Sequence, residues 1–175
     1  KNRIIISCFS SNVVRISSIA YAAKACGRRV ALVGRSLWHV YDAAKKSGYL
    51  HDVAPFLSEK EAKSIDRDKV VYICTGSQGE PRSALPKLAS GAHPELVIEE
   101  GDDVIFSSRI IPGNEKDIIR LRNQLIHIKA NIITSEQEFV HVSGHAGREE
   151  MKTMYQMVNP KLFIPVHGDI EQMQA

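Results

Sequence analysis

Five turns in this chain are built from hydroxyl side chains, glycines or both, and two of them hold a histidine that ends an apolar run. They are Cys8-Phe9-Ser10-Ser11-Asn12, Thr75-Gly76-Ser77-Gln78-Gly79-Glu80-Pro81, the stretch from Ser107 to Glu115, Val142-Ser143-Gly144-His145-Ala146-Gly147, and Pro165-Val166-His167-Gly168-Asp169. Small residues leave backbone N–H groups open, and a helix that starts from such a turn points the positive end of its dipole at it. The chemistry they suit is therefore phosphate binding. Asn12 and Asn114 stand where an N-cap belongs, and Pro81 falls early in a following helix. Any one of these turns has an ordinary capping role; five on one edge are harder to assign to capping alone.

The same residues exclude some chemistry. Thr75 to Gly79 lacks the Gly-Lys-Ser/Thr ending of a Walker A loop and does not match the dinucleotide fingerprint, so a bound NTP or NAD is disfavoured. The hydroxyls of Thr75 and Ser77, with open backbone at Gly76, suit a phosphodiester oxygen, and Arg82 follows within reach of an anion, although for Arg82 alone a solvated helix face is the simpler reading. His141 and His145 are four apart on a strand and turn, not on a helix, so they do not form a zincin face. The chain contains no HxHxDH segment, and scattered histidines do not by themselves make a zinc site. Read from residues alone, the chain is an α/β domain with an anion-binding edge.

Elements must bring these turns together. Runs of strand length recur at Ile4 to Cys8, Val30 to Val33, Val70 to Cys74, Val104 to Phe106, Ile132 to Thr134, Phe139 to Val142 and Leu162 to Val166. Their Val/Ile richness without alternation predicts strands buried on both faces, as in a parallel sheet. Helical spacing lies between them: Val13, Ile16, Ala20 and Ala23 after Asn12; Leu37, Val40, Tyr41 and Ala44 up to Gly48; Ile118, Leu121, Leu125 and Ile128 after Asn114. The alternation predicts a doubly wound, mostly parallel α/β sheet. The segments Ser58 to Asp68 and Gly91 to Gly101 read as surface connections. The stripe Met151, Met154, Met157 and Val158 predicts a helix that stops at Asn159-Pro160 and packs into a core.

Composition sets wider bounds. With 175 residues, 43% of them hydrophobic and 25% charged, the chain has the size and composition of a compact globular domain. A net charge of +3 permits a polyanionic partner without requiring one. Three unpaired-looking cysteines, Cys8, Cys26 and Cys74, read as a reduced, cytosolic protein. No run reaches the roughly 20 apolar residues of a membrane span, and a start inside a strand without Met reads as an excised piece.

The ordered motifs FSSN, VGRS, TGSQGEPRSAL, DVIFSSRIIPGNE, VHVSGHAGREE and PKLFIPVHGD resemble the β-CASP region of the ribonuclease J family, within the metallo-β-lactamase superfamily, along essentially the whole chain. The resemblance implies a β-CASP nucleic-acid-binding domain over 1–146, and a helix and strand over 147–175 that return to a metallo-β-lactamase core not contained in this chain. It implies a zinc-dependent ribonuclease shortening RNA from the 5' end, with some internal cutting. Two zinc ions would activate water and stabilise an in-line displacement. His167 is then a zinc ligand, and His145 the histidine at the scissile phosphate, stabilising charge or assisting proton transfer. Ser10, Ser11 and Asn12, together with His141, Val142, Ser143, Gly144 and His145, resemble the elements holding the RNA backbone and its 5'-monophosphate; Thr75, Gly76 and Ser77 line the same channel. The whole protein is expected to be cytoplasmic, free of membrane and homo-oligomeric.

Two other readings stay open on the residues: a stand-alone flavodoxin-like module for a small phosphorylated ligand, and a DNA-directed nuclease of the same superfamily. The ending Pro165 to Asp169 separates the first from a nuclease, because a histidine on a final strand has no task in a binding module. The contacts to a 2'-OH that separate RNA from DNA cannot be read from the sequence.

Overall fold

A computed structural model describes residues 2–164 and residue 170. The chain divides into two compact units, Lys1–Val142 and Ser143–Ala175. In the first unit, β1 (Ile4–Ser7) leads to α1 (Val13–Ala25), β2 (Arg29–Val33), α2 (Arg35–Lys46), the short α3 (Glu59–Ala62), β3 (Val70–Cys74), α4 (Ala84–Ala89), β4 (Asp103–Phe106), α5 (Glu115–His127) and β5 (Asn131–Thr134). The strands form one sheet in the order β2-β3-β1-β4-β5. All pairings are parallel, and Ile5 of the central β1 stands between Tyr72 and Val104.

Both faces are covered, which is why the strands read as unbroken apolar runs. Ile5, Ala31, Val33, Tyr72, Val104 and Phe106 join a core closed by α4 and α5, while Val30, Leu32, Val71 and Ile73 join a second core closed by α1 and α2. The helical stripes bury as the spacing predicts, through Ile16, Ala20 and Ala23 of α1, Leu37, Tyr41 and Ala44 of α2, and Ile118, Leu121 and Leu125 of α5. From β1 the chain steps outward over one face to β2, and from β3 it steps the opposite way to β4 and then β5 over the other face. A right-handed crossover requires that exchange of faces when the direction reverses. The turns after β1 and β3, neighbours in the sheet, thus lead to opposite faces and leave a crevice at the carboxyl edge.

Several sequence expectations are corrected. Phe139 to Val142 is not a strand: Phe139 sits in a bend and is 90% exposed, and the carbonyls of Val140 and Val142 accept from side chains of the first unit instead of a sheet neighbour. Leu162 to Ile164 form no strand either, and Pro165 and Val166 lie outside the described residues. Pro81 stands in a turn, three residues before α4 begins. The stretch after Ser58 opens on a capping box with Glu61 and buries Ala62. Gly91 to Gly101 sends Leu96 and Ile98 into the core, so it is more than a surface connection.

In the second unit, α6 (Arg148–Val158) ends on Asn159 in the left-handed conformation (φ 44°), as the Asn-Pro stop predicts. Its apolar stripe does not make a core: Met151, Met154 and Met157 are 51%, 62% and 78% exposed. Tyr155 meets Phe163 edge-on, with ring centroids 6.0 Å apart.

At the amino edge of the sheet a charged cluster ties β1 to β4. Asp102 is fully buried; it accepts from Arg3 Nε at 3.2 Å, from Arg67 Nη2 at 2.6 Å and from the Glu99 backbone N–H at 2.9 Å. Arg3, itself 8% exposed, also donates to Glu99 at 3.1 Å. Removing one member strands a buried guanidinium. Asp102→Ala is therefore expected to cost about 3–5 kcal/mol, read as a lower urea midpoint at unchanged slope, and a loss within ~0.5 kcal/mol would show the cluster to be incidental.

Candidate functional site

The β3 turn is held shut by glycine and by a buried amide. Gly76 has φ +109°, and a Cβ there would stand 2.3 Å from Ser83 Oγ and 2.7 Å from Pro86 Cδ. Gly79 has φ +78°, and its Cβ would stand 2.6 Å from the backbone of Asp117 in the first turn of α5. Only glycine lets the turn pass this close. Between them Gln78, 3% exposed, donates to the Arg109 carbonyl at 2.8 Å and accepts from the Ile111 N–H at 2.9 Å, so the β3 and β4 turns move as one piece. Asn114 caps α5 without a side-chain hydrogen bond to the helix; its amide reaches Gln78 at 3.4 Å.

Beside this turn a cavity of about 1050 Å³ opens at the carboxyl ends of β1, β2 and β3. Ser10, Thr75, Gly76 and Ser77 of the sequence-derived set all line it. Ser77 is only 2% exposed and sits 3.5 Å from Gln78 Nε2, so its role is chiefly to shape the turn, whereas Thr75 and Ser10 are partly accessible. Ser11 and Asn12 are exposed and stand outside the lining. The Asn12 carboxamide is engaged as the cap of α1, accepting from Arg15 N–H at 3.0 Å. Sequence reasoning passed over Trp38, Lys60, Lys87 and His93, which also line the cavity, because each comes from a different part of the chain and no spacing connects them.

A second feature missed in the sequence is Arg15. Its Nη1 donates to Ser107 Oγ at 2.7 Å, to the Val140 carbonyl at 3.2 Å and to His141 Nδ1 at 3.1 Å, and its Nη2 donates to the Val142 carbonyl at 3.0 Å. Ser107 Oγ donates in turn to the Val140 carbonyl at 2.6 Å. Because a guanidinium only donates, His141 Nδ1 must accept, and the neutral ring carries its proton on Nε2. Burial first, and then the Arg15 charge, hold the His141 pKa below the ordinary value. The segment Val140 to Val142 is fastened to the edge of the sheet by Arg15 together with Ser107. The only sequence signal was its position, three residues after the Asn12 cap.

The remaining residues divide between the second unit and the undescribed end. Ser143 Oγ accepts from the His145 backbone N–H at 3.2 Å, and His145 is exposed. His167 lies outside the described residues. Among the described residues no group of three or more His, Cys, Asp or Glu side chains could hold a metal ion, so these residues do not by themselves make a zinc centre. Thiol chemistry at Cys8 and Cys74 is disfavoured: burial pushes Cys8 up to about 11 and Cys74 higher still, which keeps both protonated near neutrality. No helix among the described residues is long and apolar enough to cross a membrane.

The clamp is testable through pH. A depressed histidine pKa means that the unfolded chain binds more protons, so the stabilising contribution is present above about pH 6.5 and is lost as the pH falls through the lower folded value. Protonation would also set an imidazolium against the guanidinium. Arg15→Met is expected to move the His141 NMR titration upward toward its ordinary value and to make the Phe139 to Val142 segment more open to protease. An unchanged titration would show that Arg15 does not govern this histidine.

Residues 1–125 match the family model described as Ribonuclease J, beta-CASP domain, and residues 126–175 match the Zn-dependent metallo-hydrolase RNA specificity domain. The chain is 49% identical over 175 residues to the Ribonuclease J of Sinorhizobium meliloti, covering 100% of this chain and 31% of that protein. It is 41% identical to the Ribonuclease J of Mycolicibacterium smegmatis and 40% identical to the Ribonuclease J2 of Bacillus subtilis, in each case covering 100% of this chain and 32% of the relative. The chain thus spans about a third of the length of these curated relatives. With its five-stranded parallel sheet, its glycine-closed β3 turn and a match that runs from end to end, the chain belongs to the ribonuclease J family.

Proposed function

We propose that this chain is the RNA-gripping part of a zinc-dependent ribonuclease that degrades and matures RNA by hydrolysing phosphodiesters from a 5'-monophosphate end, with internal cutting as a second mode. The observation that carries this reading is the cavity in which the β1 and β3 turns bring Ser10, Thr75, Gly76 and Ser77 together at the carboxyl edge of the sheet. Family membership supports it. The stand-alone phosphate-ligand module is not favoured, because the likeness to Ribonuclease J covers the whole chain.

Within this reading, residues 1–146 serve as the nucleic-acid-binding domain and 147–175 belong to the lactamase-like core. Ser10, Ser11 and Asn12, with His141, Val142, Ser143 and Gly144, hold the RNA backbone and its terminal phosphate, and anchoring that end fixes which phosphodiester is presented for cleavage. His145 acts at the scissile phosphate, where it stabilises charge or moves a proton. His167 is one zinc ligand, and the other ligands of the two ions come from outside this chain. The whole enzyme works in the cytoplasm as a homo-oligomer.

Two substitutions separate these roles in a protein of the relatives' full length that carries this chain. His145→Ala is expected to lower turnover by roughly a hundredfold or more at unchanged zinc content, whereas His167→Ala should deplete zinc. Metal analysis and exonuclease assay on both variants check this, and equal metal loss would overturn the division. The 175-residue chain by itself is expected to take up no stoichiometric zinc and to leave RNA uncut; stoichiometric zinc with turnover would count against the proposal.

A further inference from the structure

The cavity at the ends of β1, β2 and β3 is rimmed by more positive charge than its hydroxyls need. Arg35 at the start of α2, Lys60 in α3, Arg82 in the β3 turn and Lys87 in α4 all line it, and all four are exposed. Among the described residues none of the four has an ion pair. The two carboxylates on the same lining are engaged elsewhere. Glu59 accepts from the Gly34 N–H at 3.1 Å and stands 3.8 Å from His93, and Glu80 accepts from the Gln78 N–H at 3.1 Å. The four cations outnumber these two carboxylates, so the lining keeps a net positive charge. Trp38, half-buried and edge-on to Tyr41 with centroids 5.8 Å apart, adds an aromatic surface.

The arrangement also indicates the shape of the anion. A compact phosphate ligand is normally gripped by converging, buried donors, and a Walker-type loop is absent. Here the cations come from four separate segments around an open space of about 1050 Å³, near the upper limit of small-ligand pockets. Dispersed cations with an aromatic platform suit an extended chain of phosphodiesters bearing unpaired bases.

We propose that this cavity holds single-stranded RNA beyond the contacts of Ser10, Thr75, Gly76 and Ser77, with Arg35, Lys60, Arg82 and Lys87 neutralising successive phosphodiesters and Trp38 offering a stacking surface to a base. The inference rests on the RNA reading above and adds to it a set of backbone contacts independent of the terminal phosphate. It makes affinity depend on RNA length.

The test measures fluorescence anisotropy of the 175-residue chain with labelled single-stranded RNAs of roughly 4 and 12 nucleotides across a salt series. The wild-type chain is expected to bind the longer RNA more tightly. The combined variant Arg35→Gln, Lys60→Gln, Arg82→Gln and Lys87→Gln should lose that advantage by tenfold or more, with a log–log salt slope shallower by roughly 3, since each lost contact to a single strand removes about 0.7. If the fourfold variant does not fold, the pair Lys60→Gln and Lys87→Gln is expected to remove about half of that slope. Wild-type affinity and slope in a folded variant overturn the inference while leaving the RNA reading intact. ATP or pyrophosphate binding that depends on the four cations, while RNA binding does not, overturns it in favour of a free nucleotide. A wild-type chain that binds neither RNA overturns the RNA reading itself.

Discussion

Right-handed crossover is the constraint on which the rest of this fold depends. With β1 in the middle of a parallel sheet, the chain reaches β2 in one direction and β4 in the other, and handedness assigns α1 to one face and α4 and α5 to the opposite face. The turn after β1 and the turn after β3 therefore diverge from neighbouring strand ends. The space between them is the cavity that holds Ser10, Thr75 and Gly76. Covering both faces excludes water from the strands, and that is why a sheet built of four- and five-residue strands is stable enough to support open polar turns at one edge.

Polar groups perform opposite tasks at the two edges. At the amino edge Asp102 and Arg3 are buried and saturated, so their charge is consumed in joining β1 to β4. At the carboxyl edge the buried polar group is neutral: Gln78 ties two turns together without adding charge. The cations there are left facing solvent. An amide staple is the suitable device beside the proposed anion site, because a buried carboxylate at the same place would repel an anion.

Arg15 belongs to neither class. It is a cation whose donors are directed to two carbonyls, a hydroxyl and an imidazole, and it fastens an irregular segment that has no strand partner of its own. The residues up to Val142 thereby gain a fixed course without ladder hydrogen bonds, and burial with the Arg15 charge holds the His141 pKa down. Arg15 contributes to both the position and the protonation of His141, so a change in either disturbs both.

The sequence by itself determined the elements that local pattern controls. Apolar runs such as Val70 to Cys74 mark the strands, the stripes from Ile16 and Ile118 mark helices, and Asn159-Pro160 stops α6, because each depends on period, capping or a fixed dihedral within a few residues. The motif set also identified the family. Phe139 to Val142 was misread as a strand because an apolar run is equally compatible with a segment pinned by a distant arginine. Only the tertiary structure decided that Arg15 reaches Val142, that Gln78 staples two turns, and that Arg35, Lys60, Arg82 and Lys87 share one cavity. Those juxtapositions follow from strand order and crossover handedness, which act over distances that no local spacing in the sequence records.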